Sequence, residues 1–287
     1  TTYKHRNEVG SFRRDFEIPQ NWENREVFIN FDGVDSFFYL WINGQYVGFS
    51  KNSRNAACFN ITKYLQPGKN TLAVEVYRSS DGSFLEAQDM FRLPGIYRSV
   101  ALYSTPKIHI RDLVITPDLD ASYTDGTLTI AADIRNSGKK AAKNHKIVYS
   151  LYANKLYSDE NTLVTDAGTS ATIPTINAGQ ILEAEKAVLK VKAPRQWSAE
   201  TPYRYTLVAE LKDAKNKTIE TVSTIVGFRK VEIKDTPASA DEFGLAGRYY
   251  YINGKTVKLK GVNRHESNPE VGHAITRETM ENEIMLM

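Results

Sequence analysis

The chain has 287 residues, 41% of them apolar and 25% charged, with 37 Lys and Arg against 34 Asp and Glu. That length suggests two or three domains with real cores, and the near balance of charge points to neither nucleic acid nor an acidic membrane as partner. No run of eighteen apolar residues offers a membrane-spanning helix, and a single cysteine, Cys58, excludes an internal disulfide or a cysteine-rich zinc site.

The first residues, Thr1–Asn7, lack an initiator Met and resemble no targeting signal. From there to residue 104 the signal is β: strand-like runs cover Glu26–Phe31, Ser36–Ile42, Thr71–Tyr77 and Arg98–Ser104. In the third run Leu72, Val74 and Val76 alternate with Ala73 and Glu75, the period of a strand with one face in a core. "WINGQYVGF" sets Asn43-Gly44 between two apolar runs, a hairpin signal because both residues tolerate positive φ. The rings of "SFFYLWI" are expected mostly in the core. Cys58 is expected to be a buried, inert thiol, since no histidine partner stands near it. Short strands with regular turns predict a jelly-roll β-sandwich over residues 1–105, its N-terminal part missing.

After Thr105-Pro106, "TLTIAADIRN", "HKIVYSLYAN", "EKAVLKVKAP" and "YRYTLVAELKD" follow as ten-residue strand patterns, each closed by turn formers. Leu128, Ile130, Ala132 and Ile134 share one face of the first. Residues 106–235 therefore read as an immunoglobulin-like sandwich, without the Cys…Trp…Cys hallmark of antibody domains. The stretch "DTPASADEFGLAG" (235–247) is a linker candidate. Residues 236–287 read as that linker and the start of an α/β barrel. A hairpin around Asn253-Gly254 leads into a predicted strand, Lys258–Val262, which ends in the polar cluster Asn263, Arg264, His265 and Glu266. Thr276 then caps a helix with Met280, Ile284 and Met287 on one face. Strand, polar loop and helix form the barrel unit whose strand C-termini carry chemistry. The helix stripe still runs at Met287, so the chain is expected to be a piece of a longer protein.

"GVNRHE", preceded by "VGFRKVEIK" and "INGKTVKLK", resembles the entry to the catalytic barrel of glycoside hydrolase family 2. "NEVGSFRRDF", "FDGVDSFFYLWINGQYVGFSKNSR", "SDGSFLEAQDMFRLPGIYRSVALYSTP" and "PRQWSAETPYRYTLV" are similar to its β-galactosidase branch, in the order sugar-binding jelly roll, immunoglobulin-like domain, TIM barrel. The β-glucuronidases of the family share the Gly-Ile-x-Arg ending, but lack the "QDMFR" lead-in and tend to carry Lys at the position of Arg264. The resemblance implies a retaining enzyme that hydrolyses terminal β-D-galactosides, of bacterial type. Its alternatives are a related β-glucuronidase or a non-catalytic carbohydrate-binding sandwich.

The resemblance also implies roles for single residues. Asn7 and Asp89 match an Asn and an Asp that reach the barrel mouth and hold sugar hydroxyls, Asp89 also ligating sodium. For Asn7 a turn before the first strand is an equal reading. His265 matches the sugar-binding histidine of the barrel mouth, the other reading being a histidine satisfied in a buried loop. Arg264 either orients a catalytic carboxylate or pairs with Glu266, and Glu266 itself reads as a supporting residue, because both family glutamates that do chemistry come from later barrel strands. No catalytic residue is therefore assigned in this chain. His5, His109, His145 and His273 show no metal-ligand spacing, and "EVGHAIT" reads as a solvated turn. Sodium and magnesium, a β-galactoside substrate and a homo-oligomer are implied for the whole protein. One cysteine is compatible with cytoplasm or bacterial periplasm.

Overall fold

Apolar residues at every second position build two β-sandwiches, and antiparallel ladders between neighbouring strands hold the backbone of each. The computed structural model describes residues 7–86, 91–241 and 244–287, with the backbone alone at 165–167. It divides into two units, Thr1–Thr105 with Val262–Met287, and Pro106–Gly261.

In the first unit the strands are β1 (Val9–Glu17), β2 (Glu26–Phe31), β3 (Val34–Asp35), β4 (Phe37–Ile42), β5 (Gln45–Ser50), β6 (Ala57–Asn60), β7 (Lys69–Tyr77), β8 (Gly95–Ile96) and β9 (Val100–Thr105), with a helical turn α1 (Ser83–Glu86) after β7. One sheet has the order β1-β7-β4-β5, another β6-β2-β9, and β3 pairs with β8. Val27, Ile29 and Phe31 of β2 pack with Phe38, Leu40 and Ile42 of β4 and with Val74 and Val76 of β7 to form the core. Asn43 and Gly44 turn the β4–β5 hairpin at φ 51° and 76°, as their side chains allow. The Asn43 amide donates to the Tyr64 carbonyl and to Asn70, and its oxygen accepts from the Thr71 N–H. Asn70 is fully buried and also bonds the backbone of Gln66 and Gly68.

Two expectations change here. Only Phe38 of the rings in "SFFYLWI" lies in the core; Phe37, Tyr39 and Trp41 point to the other face of β4. There they meet Tyr46, Phe49 and Tyr77 in edge-on and tilted pairs with centroids 4.7–6.3 Å apart. The alternation that buries Phe38 must turn its neighbours outward. Cys58 is exposed rather than buried, because on β6 it is Ala57 and Phe59 that face the core. Its Sγ lies 3.1 Å from the Tyr103 hydroxyl.

The second unit contains β10 (Ile108–Leu119), β11 (Gly126–Asn136), β12 (His145–Asn154), β13 (Asn161–Ile173), β14 (Ile181–Glu183), β15 (Ala187–Val191), β16 (Tyr205–Lys212) and β17 (Thr218–Val226). β11 pairs with β10 on one side and with β14 and β15 on the other, while a second sheet runs β13-β12-β16-β17. Leu128, Ile130, Ala132 and Ile134 are at most 1% exposed and meet Ile147, Tyr149 and Leu151 of β12 in one core. Gly126 leaves room for Phe228: a Cβ there would lie 2.6 Å from its ring. Asn136, also fully buried, donates to the carbonyls of Lys140 and Ile176 and accepts from the Gly138 N–H. The fold is mainly β, with the two sandwiches expected.

β18 (Val231–Thr236) then pairs with β19 (Gly247–Ile252), so the 235–247 stretch connects two strands of one ladder, and β20 (Lys255–Thr256) completes the small sheet. Asn253 and Gly254 turn the β19–β20 hairpin at positive φ. The predicted strand Lys258–Val262 is absent: residues 257–267 form no ladder. A barrel strand takes its hydrogen bonds from parallel neighbours, and none of the described strands pairs with Lys258–Val262. α2 (Arg277–Leu286) forms as expected, with Thr276 Oγ1 accepting from the Thr279 N–H at 3.2 Å. Of its apolar face, Met280 is half-buried and Ile284 and Met287 are exposed.

Two buried polar groups in the second core should respond oppositely to removal. The Tyr149 hydroxyl is buried with no hydrogen-bond partner among the described residues, and burial pushes its pKa up to about 12. Tyr149→Phe should leave stability unchanged or raise it by about 1 kcal/mol, since an unpaired buried hydroxyl only costs. Asn136→Ala, which orphans bonded backbone groups, should lower stability by about 1–3 kcal/mol. Urea unfolding of the two variants measures both.

Candidate functional site

The polar cluster that followed the missing strand sits in the first unit, against the jelly roll. Arg54, Phe91, Tyr97, Arg98, His265, Glu266 and His273 line a cleft of about 120 Å3. Complete small-molecule sites measure roughly 300–1,000 Å3, so this cleft has the size of one side of a site.

The residues that line it are supported by β3 and β8, which lie behind Arg54 and Tyr97. Asp35 ends β3, nearly buried, with the Arg54 guanidinium 3.6 Å away and the Ser53 hydroxyl at 3.5 Å. Burial raises the proton affinity of Asp35 above the ordinary carboxylate value, against the pull of Arg54. Ser53 donates both its N–H (3.0 Å) and its hydroxyl (2.5 Å) to Glu86 of α1. Tyr97 follows β8, and its hydroxyl donates to the Ser53 carbonyl at 2.7 Å. Gly33 makes space for it: a Cβ would lie 2.6 Å from Tyr97 Cζ.

The wall comes from residues 264–273. A turn closed by backbone bonds between Asn268 and Gly272, with the Asn268 side chain accepting from the Glu270 N–H, brings His273 back onto the jelly roll. Gly272 takes φ +62°, and a Cβ on it would lie 2.7 Å from Leu93 Cδ1. The His273 ring packs against Tyr97 at a tilt, with centroids 4.3 Å apart and planes at 38°. His265 meets Phe91 edge-on at 6.4 Å, and Glu266 lies 3.6 Å from the Arg98 guanidinium. Cations and anions thus pair off within the cleft, Arg54 with Asp35 and Arg98 with Glu266, which leaves a polar but internally balanced surface.

Of the residues singled out from sequence, His265 and Glu266 line this cleft, both exposed. Arg264 does not pair with Glu266; it forms its ion pair with Glu283 of α2, because the helix returns along the loop. Asn7 does not line the cleft. Its amide bonds the Ser79 backbone through both atoms, at 2.9 Å each, and so extends the β1–β7 ladder by a side chain. Besides these two bonds, one amide hydrogen and one lone pair have no partner among the described residues. Asp89 lies outside the described residues. Among the described residues no three His, Cys, Asp or Glu side chains gather as a metal site. His273, read from sequence as part of a solvated turn, is half-buried. Tyr97 and Arg54 were not singled out either; the one local signal was the Asn268–Gly272 turn, which returns the chain.

Family descriptions cover nearly the whole sequence: "Glycosyl hydrolases family 2, sugar binding domain" matches residues 1–106, "Glycosyl hydrolases family 2" residues 108–229, and "Glycosyl hydrolases family 2, TIM barrel domain" residues 244–287. The chain belongs to glycosyl hydrolase family 2. It is 44% identical over 285 residues to a β-galactosidase of Priestia megaterium, a match covering 98% of this chain and 25% of the relative. A β-galactosidase of Photobacterium profundum is 39% identical over 290 residues, with the same shares. The chain therefore spans about a quarter of the length of these curated relatives. Among solved structures, a Bacteroides uniformis β-glucuronidase superposes with a TM-score of 0.83 at 25% identity, over 99% of this chain and 32% of that one. A β-glycosidase from Bacteroides vulgatus gives 0.72 at 27% identity, over 97% and 32%.

The packing of His273 sets its titration. Burial first, and then the Arg54 guanidinium, hold its pKa below the ordinary histidine value of 6.5, although Asp35 and the Leu93 carbonyl pull the other way. Above pH 6.5 the docked ring is therefore predominantly neutral. Its contribution is complete above pH 6.5 and is lost as the pH falls through the lowered value. NMR titration of the His273 imidazole should give a midpoint below 6.5, and His273→Gln should flatten the acid limb of stability over that window.

Proposed function

We propose that the whole protein to which these residues belong is a retaining β-galactosidase, with this chain supplying scaffold and part of the galactose subsite. The observation that carries this reading is the 44% identity, over almost the entire chain, to a protein named β-galactosidase. The cleft supports it. A neutral galactoside offers hydroxyls and no charge, and a surface whose cations are already paired with Asp35 and Glu266 suits such a ligand.

In this reading His265 hydrogen-bonds the sugar, its ring held against Phe91. Asn7 offers its remaining N–H and lone pair, and Asp89 binds hydroxyls with charge assistance. Arg264 and Glu266 hold the loop through Glu283 and Arg98. Hydrolysis with retention needs two carboxyl groups about 5–5.5 Å apart, one attacking the anomeric carbon and the other protonating the leaving oxygen. Both glutamates are assigned to barrel strands after Met287, so none of the described carboxylates is given that role. Sodium, with Asp89 among its ligands, magnesium and a homo-oligomeric assembly are proposed for the whole protein on the same family grounds.

The alternative substrate class is a β-glucuronide, since a β-glucuronidase shares this architecture. Its carboxylate would want a free cation, whereas Arg54 and Arg98 have acidic partners. The whole enzyme should turn over nitrophenyl β-galactoside in clear preference to the glucuronide; the reverse preference would reject the galactoside reading.

Two further outcomes follow for the variants. The 287-residue chain alone should show no turnover of either substrate, and activity abolished by Glu266→Gln would move the chemistry to Glu266. In the whole enzyme Asp89→Asn should lower kcat/KM about ten- to a hundredfold, the equivalent of one charge-assisted hydrogen bond at about 1.5–3 kcal/mol. Steady-state kinetics with and without sodium measures it.

A further inference from the structure

We propose that Tyr97 is the positioning residue for His265: it clamps the far end of the loop that presents His265 to the sugar, an inference that rests on the sugar-binding reading of His265.

The geometry of Tyr97 is that of a fixed post. Its hydroxyl is tied to the Ser53 carbonyl at 2.7 Å, and Ser53 is buried and bound twice to Glu86. One side of the ring fills the space that Gly33 leaves open, where a Cβ would be only 2.6 Å away. The guanidinium carbons of Arg54 and Arg98 stand 5.8 and 5.4 Å from the ring centroid. Such a ring cannot shift without disturbing the jelly roll.

What it holds is the His265 loop. Beside the contacts of Phe91 with His265 and of Leu93 with Gly272 and His273, two adjacent residues of the jelly roll hold that loop: Arg98 at Glu266, one residue after His265, and Tyr97 at His273. The Arg98–Glu266 pair is 3.6 Å long with both partners about half exposed, 53% and 52%. Such a pair contributes little on its own. The tilted ring pair, partly removed from water, is the stronger of the two grips. Between them no backbone ladder with the jelly roll restrains the segment, because residues 257–267 form none and the Asn268–Gly272 bridge is internal to the loop. The place of His265 therefore depends on such local contacts, and the Tyr97–His273 ring pair is the one tied through Ser53 and Glu86 into the jelly roll.

A hydrogen-bonding group displaced by about 1 Å can lose as much as a hundredfold in rate. In the whole enzyme, Tyr97→Leu should accordingly lower kcat/KM by about tenfold or more. Tyr97→Phe, which keeps the ring pair and loses one neutral hydrogen bond, should stay within about fivefold of wild type. The decisive measurement is the double-variant cycle with His265→Ala. If Tyr97 acts through His265, Tyr97→Leu adds almost nothing once His265 is gone. A full additional loss in the His265→Ala background would overturn the proposal, as would wild-type kinetics of Tyr97→Leu beside an impaired His265→Ala. Wild-type kinetics of His265→Ala alone would instead reject the sugar-binding reading, and the clamp with it, and that result appears before Tyr97 is touched. Should Tyr97→Leu fail to fold, His273→Leu removes the other ring of the pair and must meet the same cycle.

Discussion

A β-strand exists only where a neighbouring strand takes up its N–H and C=O groups, and this constraint orders the whole molecule. Both sandwiches satisfy it with continuous antiparallel ladders, such as the nine paired residues of β1 and β7. Where a ladder ends, a side chain carries it further: Asn7 imitates a peptide group toward Ser79. Where no neighbour exists, the strand does not form. Lys258–Val262 has the alternation of a strand and forms no ladder with the described strands.

The same constraint explains why the cleft is made of side-chain contacts. The loop carrying His265 takes no sheet hydrogen bonds from the jelly roll, so it is seated by a tilted ring pair, an ion pair and the close approach of Gly272 to Leu93. Polar groups beneath it are satisfied in a chain, from Tyr97 to Ser53 to Glu86. Buried asparagines do comparable work elsewhere. Asn70 and Asn136 each take up backbone groups where a connection leaves the sheet, and those bonds are what make their full burial tolerable.

The sequence made most of the fold legible, because period-two alternation and Asn-Gly turns are local signals. The run Leu128, Ile130, Ala132, Ile134 lies in the core as its spacing required, and Asn43-Gly44 and Asn253-Gly254 turn hairpins. Alternation says which residues share a face, but not whether the second face is covered, and so Phe37, Tyr39 and Trp41 were misplaced along with Cys58. Strand formation at 258–262 could not be read locally either, since it depends on neighbours. The candidate site was legible only at its polar cluster, through His265 and Glu266. Tyr97, Arg54 and His273 come together from positions up to 219 residues apart in the numbering, 54 to 273, and no periodicity links them. Arg264 found Glu283 rather than its near neighbour Glu266 because a helix returns the chain, which spacing alone does not reveal.

The ring cluster on the outer face of β4 carries one more consequence. β4 lies inside its sheet between β7 and β5, with the core on one side and Phe37, Tyr39 and Trp41 braced by Tyr46, Phe49 and Tyr77 on the other. Within this sheet β1 and β5 are the edges, so the backbone bonds of β4 are shielded on both sides by neighbouring strands and local opening is easier at the edges. The pair β7–β4 at the centre of this sheet is thus its best-shielded part. Asp35, the partner of the cleft residue Arg54, is continuous with that centre, for β3 leads directly through Ser36 into β4.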